Sequence, residues 1–421
     1  MAAVHLAARG AQVVLIDRSG AFAEGLAYGT REPAHRLNIR ASGMSACPDD
    51  DDHFTRWLMA RGAGTGGSYA PRGVYRDYLG DILTRAGGAV EMRTDEAVSI
   101  DIGGVRLASG ATLDVDAVVV TTGNLPPQPM RLFAKVPVPY AEDPWSEAGR
   151  AVLDRLAAQD GDVLVIGTGL TAIDTVLALD ARGFAGRVVA LSRRGLLPRP
   201  HVLSAAASIE GPRAGSPREL LLWVRAQATV QDWRSVVDSL RAGTQTIWQS
   251  WADADRSRFL RHLRPWWDVH RHRIAPDVWT RIEALIGGER LLVRAGRVVD
   301  ATDNPITIRP RGSVASERLS VAGIVNCTGP QGDLRRGGSA LIADLLARGI
   351  ATSDTFGLGL NVDPGLRIVP GAKLPLYAIG PVTRGTLWET VAVPEIRGQA
   401  QCVADSIVKD FAMVQKRATV S

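Results

Sequence analysis

The sequence predicts an α/β protein made of two Rossmann-like dinucleotide-binding domains, one interrupting the other, with a helical insertion. Three observations carry this reading. A complete strand, Gly-x-Gly-x-x-Ala turn, helix and strand runs from Asp162 to Leu191. Two more apolar runs, Asp116 to Gly123 and Val321 to Gly329, each end in Thr-Gly, where a buried strand emerges from a sheet. Residues 206–287 switch to helix-like segments that hold seven of the ten tryptophans.

In chain order, residues 3–17 read as the end of a helix, a glycine turn at Gly10, and the strand Val13-Val14-Leu15-Ile16 closing in Asp17. A continuous apolar strand suits a parallel sheet covered on both faces. In a dinucleotide fold the acid that binds the adenosine ribose ends the second strand, about 20 residues after the glycine-rich turn. Asp17 is the candidate for that role, the alternative being a strand-end turn acid. Counting back places the first turn before Met1. The expectation is a natural start further upstream, with about 15 to 20 residues holding an apolar strand and a Gly-x-Gly-x-x-Gly turn.

The second unit is complete. Asp162 to Ile166 is the strand, Gly167-Thr168-Gly169-Leu170-Thr171-Ala172 the turn, Ile173 to Arg182 the helix and Val188 to Leu191 the next strand. Gly167 makes the tight turn, Gly169 lets backbone approach a pyrophosphate, and Ala172 lets helix pack closely on strand. An acid after that next strand would select NAD, whereas arginine holds a 2′-phosphate. Here Arg193 and Arg194 stand there, which favours NADPH over a reading as surface arginines. Leu376 to Gly380 is a last short strand, and 394–405 a closing helix. The expected segments are 1–130 (FAD-binding, first part), 131–157 (linker), 158–205 (NAD(P)-binding, first part), 206–287 (helical insertion), 288–330 (NAD(P)-binding, second part) and 331–421 (FAD-binding, C-terminal part).

Composition narrows the class. The chain has 421 residues, 46% hydrophobic and 22% charged, with a net charge of +5. That excludes disorder and a collagen-like repeat, and no apolar run reaches the roughly 18 residues of a membrane span. Met1 to Gly10 lacks the charged start and cleavage site of a secretory signal, so the expected location is the cytoplasm. Cys47, Cys327 and Cys402 are odd in number and far apart, which argues against structural disulfides and a Cys-x-x-Cys redox or zinc site. Lysine occurs only at 135, 373, 409 and 416, and the arginines are interspersed with acids, so no nucleic-acid partner is expected. His270 and His272 are two apart and diverge on a helix; no metal site is expected.

Taken together, these features resemble the two-dinucleotide-binding-domain flavoproteins. Within them the chain is similar to uncharacterised FAD/NAD(P)-binding proteins related to flavin-dependent N-hydroxylases and other flavin monooxygenases. The closer resemblance rests on Leu37-Asn38-Ile39, Met44-Ser45, Pro48-Asp49-Asp50, Tyr69-Ala70-Pro71-Arg72 with Tyr75, Asp143-Pro144-Trp145, Ser192 through His201, His262 through Arg273, and Trp388-Glu389-Thr390. It implies FAD and NADPH as cofactors, with Thr122, Gly123 and Gly380 beside FAD and Asn38 facing the flavin. The alternative for Asn38 is a turn cap. Pro381 follows Gly380 where many flavoproteins have an aspartate.

Arg72 and Tyr75 are candidates to line the same cavity. Segment 255–273, with six Arg, three His, two Asp and the Trp266-Trp267 pair, is either a seat for an anionic group or a solvated helix face over a tryptophan core. The implied activity is an NADPH-dependent FAD oxidoreductase, a monooxygenase acting on a small nitrogen or sulfur nucleophile. The rival is a non-catalytic or remnant NAD(P)-binding protein.

Overall fold

A computed structural model describes residues 1–202 and 209–418. The expected boundary at 205/206 falls outside the described residues, as do 419–421 of the C-terminal segment. The chain divides into two compact units: Met1–Gly29, Arg40–Leu125 and Gly332–Ser421 form unit 1, and Thr30–Ile39 with Pro126–Gln331 form unit 2.

Unit 1 opens with helix α1 (Ala2–Ala7), strand β1 (Val13–Asp17) and the short α2 (Gly25–Tyr28). Helices α3 (His53–Ala60) and α4 (Arg72–Arg85) follow, then β2 (Val90–Thr94), β3 (Ala97–Asp101), β4 (Gly104–Leu107), β5 (Thr112–Leu113) and β6 (Val118–Val120). β1 pairs in parallel with β2, Val13 opposite Val90 and Asp17 opposite Thr94. β3, β4 and β5 form an antiparallel sheet.

The sheet of unit 2 is assembled from β7 (Tyr140–Ala141), β8 (Val163–Ile166), β9 (Val188–Ser192), β10 (Leu291–Asp300), β11 (Ile306–Pro310), β12 (Glu317–Leu319) and β13 (Gly323–Asn326), in the order β12-β11-β10-β9-β8-β13-β7. Its helices are α5 (Glu147–Ala157), α6 (Leu170–Ala181), then α7 (Pro217–Gln227), α8 (Trp233–Ser239), α9 (Thr244–Ser250), α10 (Asp253–Arg258), α11 (Arg264–Arg271) and α12 (Pro276–Gly287). All four residues of β8 and of β13 are buried, which explains their continuous apolar runs. α6 is buried without a break from Ala172 to Leu179, so it needs cover on all sides.

The segment expected to link the domains, 131–157, contains β7 and α5. β7 extends the sheet beside β13, and Ser146 caps α5 by accepting from Gly149 N–H at 3.0 Å. The two-residue length of β7 gives no period to read from sequence. Thr30–Ile39 is the other departure, since it lies in unit 2 although it falls within the first expected FAD segment. It is held there by His35: Nδ1 meets the Thr30 hydroxyl at 2.8 Å, and Nε2 the Asp174 carbonyl of α6 at 3.0 Å.

Returning to unit 1, α13 (Ala340–Ala347), β14 (Leu376–Ala378) and α14 (Val393–Ala418) complete the chain. β14 pairs in parallel with β6. The core of unit 1 gathers Leu6, Ile100, Val120, Leu345, Tyr377, Ala400 and Val403; unit 2 has its own core around Leu164, Val189, Ile308 and Ile324.

Candidate functional site

In unit 2 the site grows from the carboxyl ends of β8 and β13. β8 has β9 on one side and β13 on the other, so the strand order reverses there, where open α/β sheets bind ligands. Gly167 leaves β8 at φ +118°, and a Cβ on it would overlap the Cys327 carbonyl oxygen at the end of β13. Its N–H donates to Leu191 O at 2.8 Å. This glycine is required by the turn itself. Gly169 differs: its φ is ordinary and nothing lies within 4 Å of a Cβ built there. It is the N-cap of α6 and has no side chain to accept from the first-turn N–H groups, which leaves these donors and the positive end of the helix dipole for an anion. Ala172 is 2% exposed and packs inward.

Thr168 is placed otherwise than a ligand-facing hydroxyl. Its Oγ1 lies 2.9 Å from Ser192 Oγ and donates to Leu196 O at 2.5 Å, stapling the glycine turn to the loop after β9. Ser192 Oγ also accepts from Gly195 N–H at 3.0 Å, which closes a turn over Arg193 and Arg194. Arg193 is exposed, and Arg194 reaches the His262 carbonyl at 3.4 Å. Ser192, the first residue of the Ser192–His201 motif, thus shapes this turn. Another shaping residue is Asn326, fully buried, whose Oδ1 accepts from Thr328 N–H and hydroxyl while its amide donates to Gln128 O.

Asn38 offers its carbonyl to His201 Nε2 at 2.9 Å within unit 2, whereas Asp17, Thr122, Gly123 and Gly380 belong to unit 1. Asp17 Oδ1 accepts from both the N–H and the hydroxyl of Ser19, at 2.8 and 2.5 Å, so the carboxylate also organises the turn after β1. Thr122 is exposed. Gly123 sits at φ +68° and Gly380 at +78°, each with open space where a Cβ would stand. The Gly380 N–H donates to buried Gln399 Oε1 at 2.7 Å, and its carbonyl accepts from the Thr383 and Thr390 hydroxyls. A ligand can therefore meet Gly380 at its bare Cα, not at its N–H. This also accounts for Thr390 in the Trp-Glu-Thr motif.

Of the remaining candidates, Tyr75 is fully buried among aromatic rings and Arg72 begins α4. In segment 255–273 several arginines have acidic neighbours: Arg258 with Asp255, Arg264 with Asp268, and Arg273 with Asp238. Burial pushes the Cys327 thiol up to about 12, and its Sγ lies 3.2 Å from the Thr175 hydroxyl. Among the described residues no group of three or more His, Cys, Asp or Glu is arranged to hold a metal ion, and no helix is long and apolar enough to cross a membrane.

Residues 1–125 match the model of the FAD-NAD(P)-binding family. Ornithine hydroxylase from Pseudomonas aeruginosa superimposes with a TM-score of 0.64 at 17% identity, over 97% of each chain. The FAD-bound cadaverine monooxygenase of desferrioxamine biosynthesis from Erwinia amylovora gives 0.63 at 12%, over 96% of this chain and 91% of that one. Thioredoxin reductase from Lactococcus lactis gives 0.52 at 13%, over 97% and 94%. No curated protein sequence matches the chain. The chain has the two-dinucleotide-binding-domain flavoprotein fold. In unit 2, Gly169 leaves an open face at the start of α6, whose first-turn N–H groups have no side-chain cap, and in unit 1 Gly123 and Gly380 leave open faces at their Cα atoms.

Proposed function

We propose that the protein is an NADPH-dependent, FAD-containing monooxygenase acting on a small nitrogen or sulfur nucleophile. The observation that carries this is the turn after β8: the open Gly169 face at an uncapped helix start, with Arg193 and Arg194 at the end of the next strand. The α6 N–H groups hold the pyrophosphate of NADPH, and the two arginines hold its 2′-phosphate. Ala172 permits the close packing, and Thr168 and Ser192 keep the arginine loop in register. In unit 1, Asp17 takes the adenosine ribose of FAD, and Thr122, Gly123 and Gly380 border that cofactor. Asn38 is the candidate contact to the reacting end. FAD, when bound, supplies hydride acceptance from NADPH and the reduction of oxygen.

A primary amine is the preferred substrate class, because ornithine hydroxylase and cadaverine monooxygenase share the fold. A disulfide reductase is disfavoured by the chain's own thiols. Cys47, Cys327 and Cys402 are all free, and Cys327 is buried and held protonated.

The test is to purify the protein, release and identify any flavin, and follow oxygen-dependent NADPH oxidation against a panel of diamines, amino acids and thioethers. Amine-stimulated turnover with hydroxylamine product is expected. Colourless protein that binds NADPH but takes up no oxygen would overturn the reading in favour of a non-catalytic binding protein.

A further inference from the structure

Helices α2, α3 and α4 of unit 1 carry a set of touching rings. Tyr28 lies 4.7 Å from Tyr75, Tyr75 lies 5.5 Å from Tyr78, and Tyr78 lies 5.6 Å from Trp57, centroid to centroid. Phe54 packs against Tyr75 at 5.0 Å and Tyr78 at 4.7 Å. Packing alone would account for the rings, but not for their polar ends. The Tyr78 hydroxyl is 2.8 Å from His53 Nδ1, and Trp57 Nε1–H donates to Asp81 Oδ2 at 2.8 Å. His53 and Trp57 are one turn apart on α3, as Tyr78 and Asp81 are on α4. Each helix thus supplies one oxidisable ring and a hydrogen-bonding partner for the ring on the other helix. Tyr75 is the contrast: equally buried, its hydroxyl has no hydrogen-bond partner among the described residues.

One-electron oxidation makes a phenol strongly acidic, so an electron leaves a buried tyrosine readily only where a base takes the proton. Burial lowers the pKa of His53, which leaves a neutral imidazole to accept it, and burial raises Tyr78 to about 12, so the phenol is protonated at rest. The Ala46 N–H also donates to the Tyr78 oxygen at 3.1 Å. Trp57 is itself buried; the Asp81 oxygen that accepts its indole N–H also pairs with Arg61 at 2.6 Å, and the Arg61 guanidinium, 3.9 Å from the ring centroid, opposes positive charge on the indole. Charge on Trp57 is therefore transient and settles on Tyr78.

We propose that Trp57, Tyr78 and His53 form a proton-coupled relay that draws oxidising equivalents to a tyrosyl radical on Tyr78. A one-electron oxidant takes an electron from Trp57. Tyr78 then returns one to Trp57 while its phenolic proton moves to His53 Nδ1. The balance is one electron lost from the protein, one neutral tyrosyl radical and one imidazolium; a thiol or ascorbate restores the electron, and His53 the proton. Its use in the cell rests on the monooxygenase reading, since the hydroxyl radical formed from peroxide that escapes such chemistry is the one-electron oxidant it would intercept.

The test needs neither FAD nor substrate. The full chain is irradiated with tris(bipyridyl)ruthenium and a sacrificial electron acceptor, and the radicals are read by electron paramagnetic resonance and transient absorption. A tyrosyl signal is expected in the parent protein, with a solvent deuterium isotope effect on its formation. Tyr78→Phe should lose that signal and leave a tryptophan radical, His53→Gln should lose the isotope effect, and Tyr75→Phe should change neither. Cys47→Ser, which removes a thiol beside the phenol, should lengthen the radical's life. Fluorotyrosine incorporation, which leaves the packing intact, should alter the hyperfine pattern if the signal is tyrosyl. No tyrosyl radical in the folded parent, or an undiminished one in Tyr78→Phe, would overturn the proposal while leaving the monooxygenase reading in place.

Discussion

Gly167 and Gly169 stand two residues apart and answer to different forces. At Gly167 both the positive φ and the Cys327 carbonyl exclude a side chain, so Gly167→Ala is expected to destabilise unit 2 by about 2 kcal/mol or more, seen in urea unfolding. Gly169→Ala meets no atom and keeps an allowed backbone, so its stability loss should stay under about 1 kcal/mol. It nevertheless puts a methyl where the pyrophosphate must approach, and NADPH affinity measured by calorimetry should fall by about tenfold or more, roughly 1.4 kcal/mol. Equal stability losses in the two variants would remove the distinction. Arg193 and Arg194 admit a parallel comparison. A charge-assisted contact to phosphate is worth about 1.5 to 3 kcal/mol, so alanine at both positions should weaken NADPH far more than NADH. An equal loss for both cofactors would mean that the pair is surface charge only.

At the scale of elements, the clearest structural dependence is Arg273 in the helical region. Its side chain is 4% exposed, donates to Asp238 at 2.8 and 2.9 Å, and also reaches the His270 and Arg234 carbonyls. Asp238→Ala leaves that guanidinium without its counter-charge and is expected to lower stability by about 2 to 3 kcal/mol, less than for a wholly buried pair because Asp238 is half exposed. Arg273→Met, which fills the space with an apolar stem, should lose less; the reverse order in denaturant midpoints would refute the argument.

The strand, glycine turn and helix at 162–182 could be read from sequence because every constraint on them is local: apolar period, tight turn, helix start. So could β6, β13 and β14, whose apolar runs stop at glycine. β7 could not, because two residues carry no period and their place is set by pairing with β13. Nor could the attachment of Thr30–Ile39 to unit 2, which depends on His35 reaching a helix carbonyl 139 residues away in sequence. In the candidate site, the residue types came from spacing, whereas the orientation of the Thr168 hydroxyl and the blocked Gly380 N–H depend on Ser192 and Gln399, partners distant in sequence.

For the whole molecule, the chain passes between its two units at 29–30, 39–40, 125–126 and 331–332, and each unit encloses its own apolar core. Eight of the ten tryptophans lie in unit 2, including the fully buried Trp248, and two in unit 1. Tryptophan emission therefore reports mainly on the unit assigned to NADPH, while flavin emission reports on the unit assigned to FAD. A ligand at 100 times its Kd stabilises the state that binds it by about 2.7 kcal/mol. For a unit of this size that corresponds to roughly 5 to 10 °C in Tm. NADPH alone should raise the tryptophan-monitored transition by that amount and leave the temperature of flavin release nearly unchanged, and added FAD should do the converse. If NADPH moves both transitions equally, the two cores unfold as one cooperative block, and assigning each cofactor its own unit would then require the separate affinities of the Gly169→Ala variant for NADPH and FAD.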